Sequence, residues 1–459
     1  VRVSSIKLHE VGPFSDAEFE IPDERMVFFE GPNGSGKTTL LEVIACGADY
    51  LLRQQLNAPG WQLRERMRSS ETSSAELQLA PDPVAITLKR GEPAFAHQDA
   101  NVTVTAGPQD AVERLRSASL QDQSGRARWL AFAFDGHPAT ASLRSAGPAE
   151  LRESPMSGGL SFSGVVGNPS NPTHAHRAPV SHARLLGQWL VNTENERVKA
   201  NQYRGEAAND ADRARMTEAA SARQASIKRV ENCLSKLMDR DVRFSFSFDR
   251  PEPTVTFDGE AVTVDLLGEG FRKTFSWISD FLIRLERAPW LDTVRSPLDH
   301  DIWLLLDEVD QSLHPTMQLR LYPALLDLFP NARIYATTHS PFVIASAASG
   351  VVFPLRPQRR PSRVEGRVTP VHLEPGLSLA RVVEDIFKAP SEALDPETRG
   401  SLDAHASCVA ALLKGEDIAW EPFLATRKKL LALNDEIRAI VFIREARVRP
   451  TIDQYVKAA

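Results

Sequence analysis

At 459 residues, with 42% hydrophobic and 25% charged side chains, the chain is long enough for about three domains with sizeable cores. Its net charge of −6 excludes a chain-wide nucleic-acid surface and leaves only a local basic patch for DNA. Cys46, Cys233 and Cys408 lie far apart with no CxxC pairing. They therefore suggest neither a zinc site nor a disulfide framework, and fit a reducing cytoplasm.

No apolar run reaches the ~18 residues a membrane span requires, and the first residues lack a basic-then-apolar leader. In chain order, Val3–Leu8 and Ala17–Ile21 read as strands, and Met26-Val27-Phe28-Phe29 as a buried one. Gly31–Lys37 interrupts the pattern, and a helix follows from Thr38. Ala75–Leu79 and Val84–Lys89 form a strand pair around Pro81-Asp82-Pro83. Residues 136–180 are rich in Gly, Pro and Ser and read as loop. His182–Met238 is helical, with a polar, solvated hairpin over 193–229. Strands are predicted at 242–248, 253–257, 302–306 and 333–337, and helices at 271–285 and 316–328. The last 85 residues or so are helical. There Leu430, Leu433, Ile437, Ile440 and Val441 make one apolar stripe.

Gly31-Pro32-Asn33-Gly34-Ser35-Gly36-Lys37-Thr38 matches G-x-x-x-x-G-K-[ST] in full, after a strand and before a helix. The glycines let backbone N–H groups converge on phosphates, and the helix N-terminus adds partial positive charge. Asn33, Gly34, Ser35, Gly36, Lys37, Thr38 and Thr39 are the nucleotide-binding candidates, with Lys37 on the β- and γ-phosphates and Thr38 on Mg²⁺. The apolar run Ile302–Leu306 ends in Asp307-Glu308. Asp307 is a Mg²⁺ ligand candidate, and Glu308 the candidate base for an attacking water. Arg333–Pro341 then carries a strand into Thr337-Thr338-His339-Ser340-Pro341. This sets His339 at the carboxyl end of a strand, where open α/β sheets bind ligands.

The run from Asp307 to Ile344 resembles the ABC-type AAA-family ATPases related to RecF, SMC and OLD proteins. It is most similar to bacterial stand-alone ATPases such as those of Septu, retron and PARIS anti-phage systems, whose corresponding stretch reads like DEIDLHLHP…TTHSP. The likeness covers residues 1–45 and 265–345. It implies that His339 is the switch histidine, that Asp310 lies in a loop at a dimer interface, and that two heads enclose two ATP molecules. Such a head needs a signature loop. Met156-Ser157-Gly158-Gly159-Leu160 contains S-G-G but sits in loop-rich sequence with no helix after it. Leu267-Gly268-Glu269-Gly270-Phe271-Arg272 precedes an apolar-striped helix and resembles the family's LSDGYR, with Gly268 where serine is expected. By that resemblance Gly268, Gly270 and Arg272 contact the partner's nucleotide. The missing hydroxyl points to slow hydrolysis or to ATP as an assembly clamp. Gln78 and Gln62 are both candidates for a Mg²⁺-coordinating glutamine.

His174, His176 and His182 lack a fourth ligand and read as ordinary loop residues. Arg356, Arg359, Arg360, Arg363 and Arg367 form a basic cluster, read as a solvated loop or partner contact in preference to a phosphate site. Neither Asp239/Asp241 nor Asp299/Asp301 is completed into a nuclease metal site.

The expected fold is α/β: an ABC-type P-loop ATPase head split by an α-helical insertion, with a C-terminal helical domain. The head parts are 1–100 and 242–375, the loop-rich and helical insertion is 101–241, and the helical domain is 376–459. ATP and Mg²⁺ are the expected cofactors. The expected partners are a second copy, as a dimer or higher even-numbered oligomer, and a separately encoded effector of nuclease type. DNA remains an alternative ligand, and no membrane is involved. The favoured role is an anti-phage ATPase acting as sensor, scaffold or regulator of that effector. A repair ATPase of RecF or SMC type would call for a longer coiled-coil arm or a strong basic face. A transporter's nucleotide-binding subunit is disfavoured by the divergent signature, the insertion and the T-T-H-S-P form.

Overall fold

The computed structural model describes residues 1–53, 67, 73–90, 102–121, 126–135, 182–247, 250–262, 278–279, 281–286, 288, 290–311, 313–356, 363–388, 396–433 and 435–458. They form two compact units, Val1–Lys388 and Ala389–Ala459.

In chain order the larger unit begins with strands β1 (Arg2–Val11), β2 (Phe14–Glu20) and β3 (Met26–Glu30) and helix α1 (Lys37–Arg53). Strands β4 (Ser74–Ala80), β5 (Val84–Arg90) and β6 (Val102–Gly107) precede helix α2 (Gln109–Ser119). The short β7 (Leu120–Gln121) and β8 (Arg126–Ala127) lead to β9 (Trp129–Asp135). A helical pair follows, α3 (His182–Glu206) and α4 (Asp210–Met238), then β10 (Val242–Ser247), β11 (Arg250–Phe257) and β12 (Glu260–Val262). The unit continues through β13 (Asp301–Asp307), α5 (Pro315–Leu328), β14 (Ala332–Thr338), α6 (Pro341–Ser346), β15 (Val351–Pro354), β16 (Val364–Val368) and β17 (Val371–His372).

The central sheet has the order β17-β15-β3-β14-β13-β9, parallel except for the β17 edge. β3 is buried at all five residues, and β13 at every residue but its first. Strands covered on both faces read as continuous apolar runs, which is why they stand out in the sequence. β9 also belongs to this sheet, pairing with β13 from Trp129↔Asp301 to Asp135↔Asp307. The segment 101–241, expected as an insertion, therefore contributes β9 to this sheet, and its β6 pairs with β5.

Beside the central sheet stands a sheet of order β16-β2-β1-β4-β5-β6. Its strands alternate: Ile6 and Leu8 are buried in β1 while Lys7 and His9 are exposed. Ala75, Leu77 and Leu79 likewise form the inner face of β4. The two sheets are tied at the start of the chain. Trp303 Nε1 donates to the Val1 carbonyl at 3.0 Å, and the Val3 amide to the Tyr335 hydroxyl at 3.3 Å.

α3 and α4 form the expected hairpin. Asn209 caps α4 by accepting the Asp212 amide at 2.8 Å, satisfying one of the amides a helix start leaves open. The first turns of α4 are exposed, whereas Val230, Cys233, Leu234 and Leu237 are buried. α4 packs on α5 and joins it through Lys236–Asp327 and through Arg320–Asp239 at 3.0 Å. Among the described residues, no helix is long and apolar enough to cross a membrane.

The smaller unit contains α7 (Pro396–Leu413), α8 (Trp420–Leu431), α9 (Asp435–Glu445) and α10 (Arg449–Ala458). The expected single stripe is divided between two helices. Leu430, Ile437 and Val441 pack with Leu402, but Leu433 falls in the turn between α8 and α9 and is 42% exposed. Glu445, fully buried, accepts from Arg427 at 2.7 and 2.9 Å and pairs with His405 at 2.9 Å. Burial works to raise the Glu445 carboxyl, but the bonds from His405 and Arg427 outweigh it and hold the group below its ordinary value. Removing one partner of a buried pair strands the other charge. Arg427→Met is therefore expected to destabilise this unit by about 3 kcal/mol in urea unfolding at neutral pH. Because the Glu445 pKa is depressed, the deficit should shrink as pH falls below the ordinary glutamate range and the carboxylate is protonated.

Candidate functional site

The site forms where three parallel strands stop at one level. Register pairs Asp307 of β13 with Thr337 of β14, and Thr337 with Phe29 of β3. The next residues are thus neighbours: the Gly31–Gly36 loop, Glu308, and Thr338-His339.

The loop is held open by glycine and by packing. Gly34 and Gly36 have φ of +79° and +97°, the left-handed region that L side chains rarely adopt. A Cβ on Gly36 would lie 2.4 Å from the Phe14 ring, so the β1–β2 turn presses on the loop from one side. A Cβ on Gly34 would meet nothing within 4 Å, so the loop's tip faces open space. Behind it, Glu30 accepts the Leu355 amide at 2.6 Å through its carbonyl and pairs with Arg356 through its carboxylate at 2.5 Å.

Lys37 starts α1, and its ammonium is nearly buried. It donates to the Gly31 and Pro32 carbonyls at 3.1 and 3.4 Å, and lies 2.7 Å from His339 Nε2 and 3.4 Å from Glu308 Oε1. Burial lowers its pKa, and Glu308 opposes that shift. Thr38 Oγ1 donates to Asp307 Oδ2 at 2.8 Å, and Thr337 Oγ1 donates to Asp307 Oδ1 at 2.5 Å.

Glu308 adopts φ +51°, a left-handed conformation uncommon for a non-glycine residue. Its Oε1 sits 3.0 Å from His339 Nε2, and Gln311 donates to its Oε2. The His339 hydrogen bond holds the Glu308 carboxyl below its usual value; burial pulls the other way, and Lys37 assists His339. His339 Nε2 faces a donor and an acceptor at once. A ring unprotonated at Nε2 accepts from Lys37, and a ring protonated there donates to Glu308.

Asp310 is buried one turn beyond. Its Oδ2 accepts from Thr338 Oγ1 at 2.8 Å, while Oδ1 has no hydrogen-bond partner among the described residues. Burial pushes its pKa up to about 6, against the Thr338 hydrogen bond. The Gln318 side chain donates to the Asp310 carbonyl at 3.1 Å and accepts from Ser340 Oγ at 2.7 Å.

These residues fit a nucleoside triphosphate with Mg²⁺. The ammonium and the α1 N-terminus face the loop, and the buried Ser35 hydroxyl has no partner among the described residues. Thr38 and Asp307 supply adjacent hard oxygens of the kind Mg²⁺ takes.

The structure brings together Lys37, Thr38, Asp307, Glu308 and His339, with Asp310 adjoining. Asn33 and Gly34 are exposed at the loop tip, while Thr39 is fully buried and points toward Gly12. Gly268, Gly270 and Arg272 lie outside the described residues, as do Met156–Leu160, Gln62, His174, His176, Arg359 and Arg360. Gln78 lies inside β4, exposed and bonded to Glu76 at 3.2 Å. The remaining arginines of the basic cluster are paired: Arg356 with Glu30, Arg363 with Glu10, and Arg367 with Glu20. Three of the four aspartates are in ion pairs too, Asp239 with Arg320, Asp241 with Arg243, and Asp299 with Arg229. No cluster of three potential metal ligands occurs among the described residues. Sequence reasoning passed over Thr337, Gln311 and Gln318. The doubled threonine before His339 is the signal that could have found the first.

Residues 186–345 match the family model described as "AAA domain, putative AbiEii toxin, Type IV TA system", and residues 5–70 match one described as "AAA domain". The chain is similar to the Septu protein PtuA of Bacillus thuringiensis, 26% identical over 132 residues, which are 28% of this chain and 33% of that protein. It is also similar to the "Retron Vc95 probable ATPase" of Vibrio cholerae serotype O1 biovar El Tor, 30% identical over 96 residues, 21% of this chain and 18% of that one. The chain thus spans a third or less of these relatives. An Smc head bound to the C-terminal winged-helix domain of ScpA superposes with TM-score 0.40 and 9% identity, over 82% of this chain and 98% of that one. Residues 5–70 and 186–345 thus match AAA domain models, in keeping with the AAA part of the resemblance.

Two outcomes follow from the geometry. Gly36→Ala drives a methyl into Phe14 at a positive φ, and is expected to abolish detectable nucleotide binding in a fluorescent-analogue titration. Because the Asp310 pKa is raised, ionising it costs stability as pH climbs from the ordinary aspartate range through about 6. The stability of Asp310→Asn relative to the unaltered protein should therefore rise across that window, by up to about 3 kcal/mol, and stay level above it.

Proposed function

We propose that this chain binds ATP with Mg²⁺ in the Gly31–Thr38 loop and hydrolyses it, using Glu308 as base. The observation that carries the reading is the convergence of Lys37, Glu308 and His339 within 3.4 Å of one another, beside the Thr38–Asp307 pair. Asn33, Gly34, Ser35 and Gly36 offer backbone N–H groups to phosphate oxygens, and Thr39 secures the first turn of α1 from behind. Lys37 leaves its carbonyl partners to meet the terminal phosphates. Thr38 and Asp307 would hold Mg²⁺, which when bound would supply neutralising charge for the phosphate oxygens. Glu308, kept ionised by His339 and Lys37, takes the proton of the attacking water, and His339 donates toward the terminal phosphate. Little more is needed, since phosphoryl transfer depends mainly on positioning and charge stabilisation.

In this reading two copies face each other. Asp310 lies at their contact, and Gly268, Gly270 and Arg272 of one reach the nucleotide of the other. The likeness to the Septu and retron proteins supports an anti-phage role in the cytoplasm. There the head works as sensor, scaffold or regulator for a separately encoded effector of nuclease type.

Glu308→Gln keeps the side chain's size and removes its charge. It is expected to retain ATP binding while phosphate release falls by about 10²–10⁴-fold, the usual contribution of a general base. Turnover equal to that of the unaltered protein would refute the assignment of the base.

A further inference from the structure

We propose that Thr337 is a positioning residue whose single hydroxyl aims Asp307 and Glu308 together, and so sets both Mg²⁺ affinity and the placement of the base. This rests on the hydrolytic reading above. Thr337 is fully buried in β14, directly opposite Asp307 in the register. The Glu308 amide donates to its Oγ1 at 2.9 Å, and to its carbonyl at 3.3 Å. An amide can only donate, so the hydroxyl is the acceptor in that bond. Its own proton then points to the carboxylate oxygen 2.5 Å away, Asp307 Oδ1.

Two consequences follow from this fixed direction. Asp307 is oriented with one oxygen committed to Thr337, so that Oδ2 faces Thr38. The Glu308 backbone is held at φ +51°, which an unsupported glutamate avoids. That conformation carries its carboxylate to Lys37 and His339. Without the hydroxyl, Asp307 Oδ1 loses the bond that sets it opposite Thr337, and the Glu308 amide loses its side-chain acceptor. Both effects come from one atom, which separates Thr337 from Gln311, whose side chain touches Glu308 alone among the two carboxylates.

The test uses the full chain and three variants. Thr337→Val and Thr337→Ala remove the hydroxyl, one keeping volume and the other adding none, so that a folding defect in either leaves the other to decide. Thr337→Ser restores the hydroxyl. Each is titrated with a fluorescent ATP analogue in EDTA and across a Mg²⁺ series, and ATP turnover is measured in parallel.

The expected result for Val and Ala is affinity within about twofold of the unaltered protein in EDTA. The Mg²⁺ concentration for half-maximal effect should rise about tenfold, as loss of a group behind a metal ligand does. The kcat should fall about 10–100-fold with little change in KM, and Ser should recover both. Unchanged Mg²⁺ dependence and kcat in Val or Ala would overturn the proposal, as would failure of Ser to recover either. A shifted Mg²⁺ dependence in a protein with no turnover at all would retain the metal-orienting role. That outcome would sink the hydrolytic reading and the base-placing half of the proposal.

Discussion

The parallel register of β3, β14 and β13 is the constraint on which the rest depends. Because the three strands end at one height, residues separated by about 270–300 positions become hydrogen-bond partners: Lys37 with His339, and Thr38 with Asp307. A slip of one residue would turn each strand's side chains to the opposite face. Asp307 would then leave Thr38, and Thr337 would leave Asp307. The depth of burial on both sides of this sheet is what prevents such a slip, so the apolar strands specify the position of a polar site.

That polar site is held by opposed charges in a place with little water. Burial lowers the Lys37 pKa against the opposing pull of Glu308, and it opposes ionisation of Glu308, whose carboxyl His339 and Lys37 nonetheless hold below its usual value. In the proposed function, an ammonium that already holds neutral carbonyls and a carboxylate would trade them for phosphate oxygens without ever being left bare. Asp310 has less help. Its carboxylate has one side-chain bond among the described residues, from Thr338, and burial pushes its pKa up to about 6. At the ends of β3, β13 and β14 the unit thus sets Lys37, Glu308 and His339 in one cluster and leaves Asp310 beside it poorly compensated.

The legibility of these features differed for physical reasons. The Gly31–Lys37 loop and the strand ending in Asp307 could be placed directly, because glycines at positive φ and a two-face-buried strand leave strong local signatures. The strand that completes the sheet, Trp129–Phe134, is as apolar as β3. It sits between loop-rich stretches with no motif to mark it, and its partner β13 is distant in sequence. The stripe through Leu433 failed because regular spacing continues through a turn when helices are short. Thr337 was missed because its role is set across strands, by a register that spacing along the chain does not encode. The arginines at 356, 363 and 367 were a run in sequence but individual ion pairs in space, each meeting an acid from the first thirty residues.

β3 lies between β14 and β15, and neither neighbour is made until some 300 residues after it. At about 5–20 residues per second, a growing chain carries Met26–Glu30 for roughly 15–60 s with both edges unpaired. During that interval the apolar run Met26–Phe29, which leads through Glu30 to the Gly31–Gly36 loop, has no sheet to enter. The order of synthesis makes the candidate nucleotide site one of the last parts of the larger unit to exist. The same long-range pairing that assembles the chemistry therefore leaves the nascent chain dependent on being shielded from its neighbours.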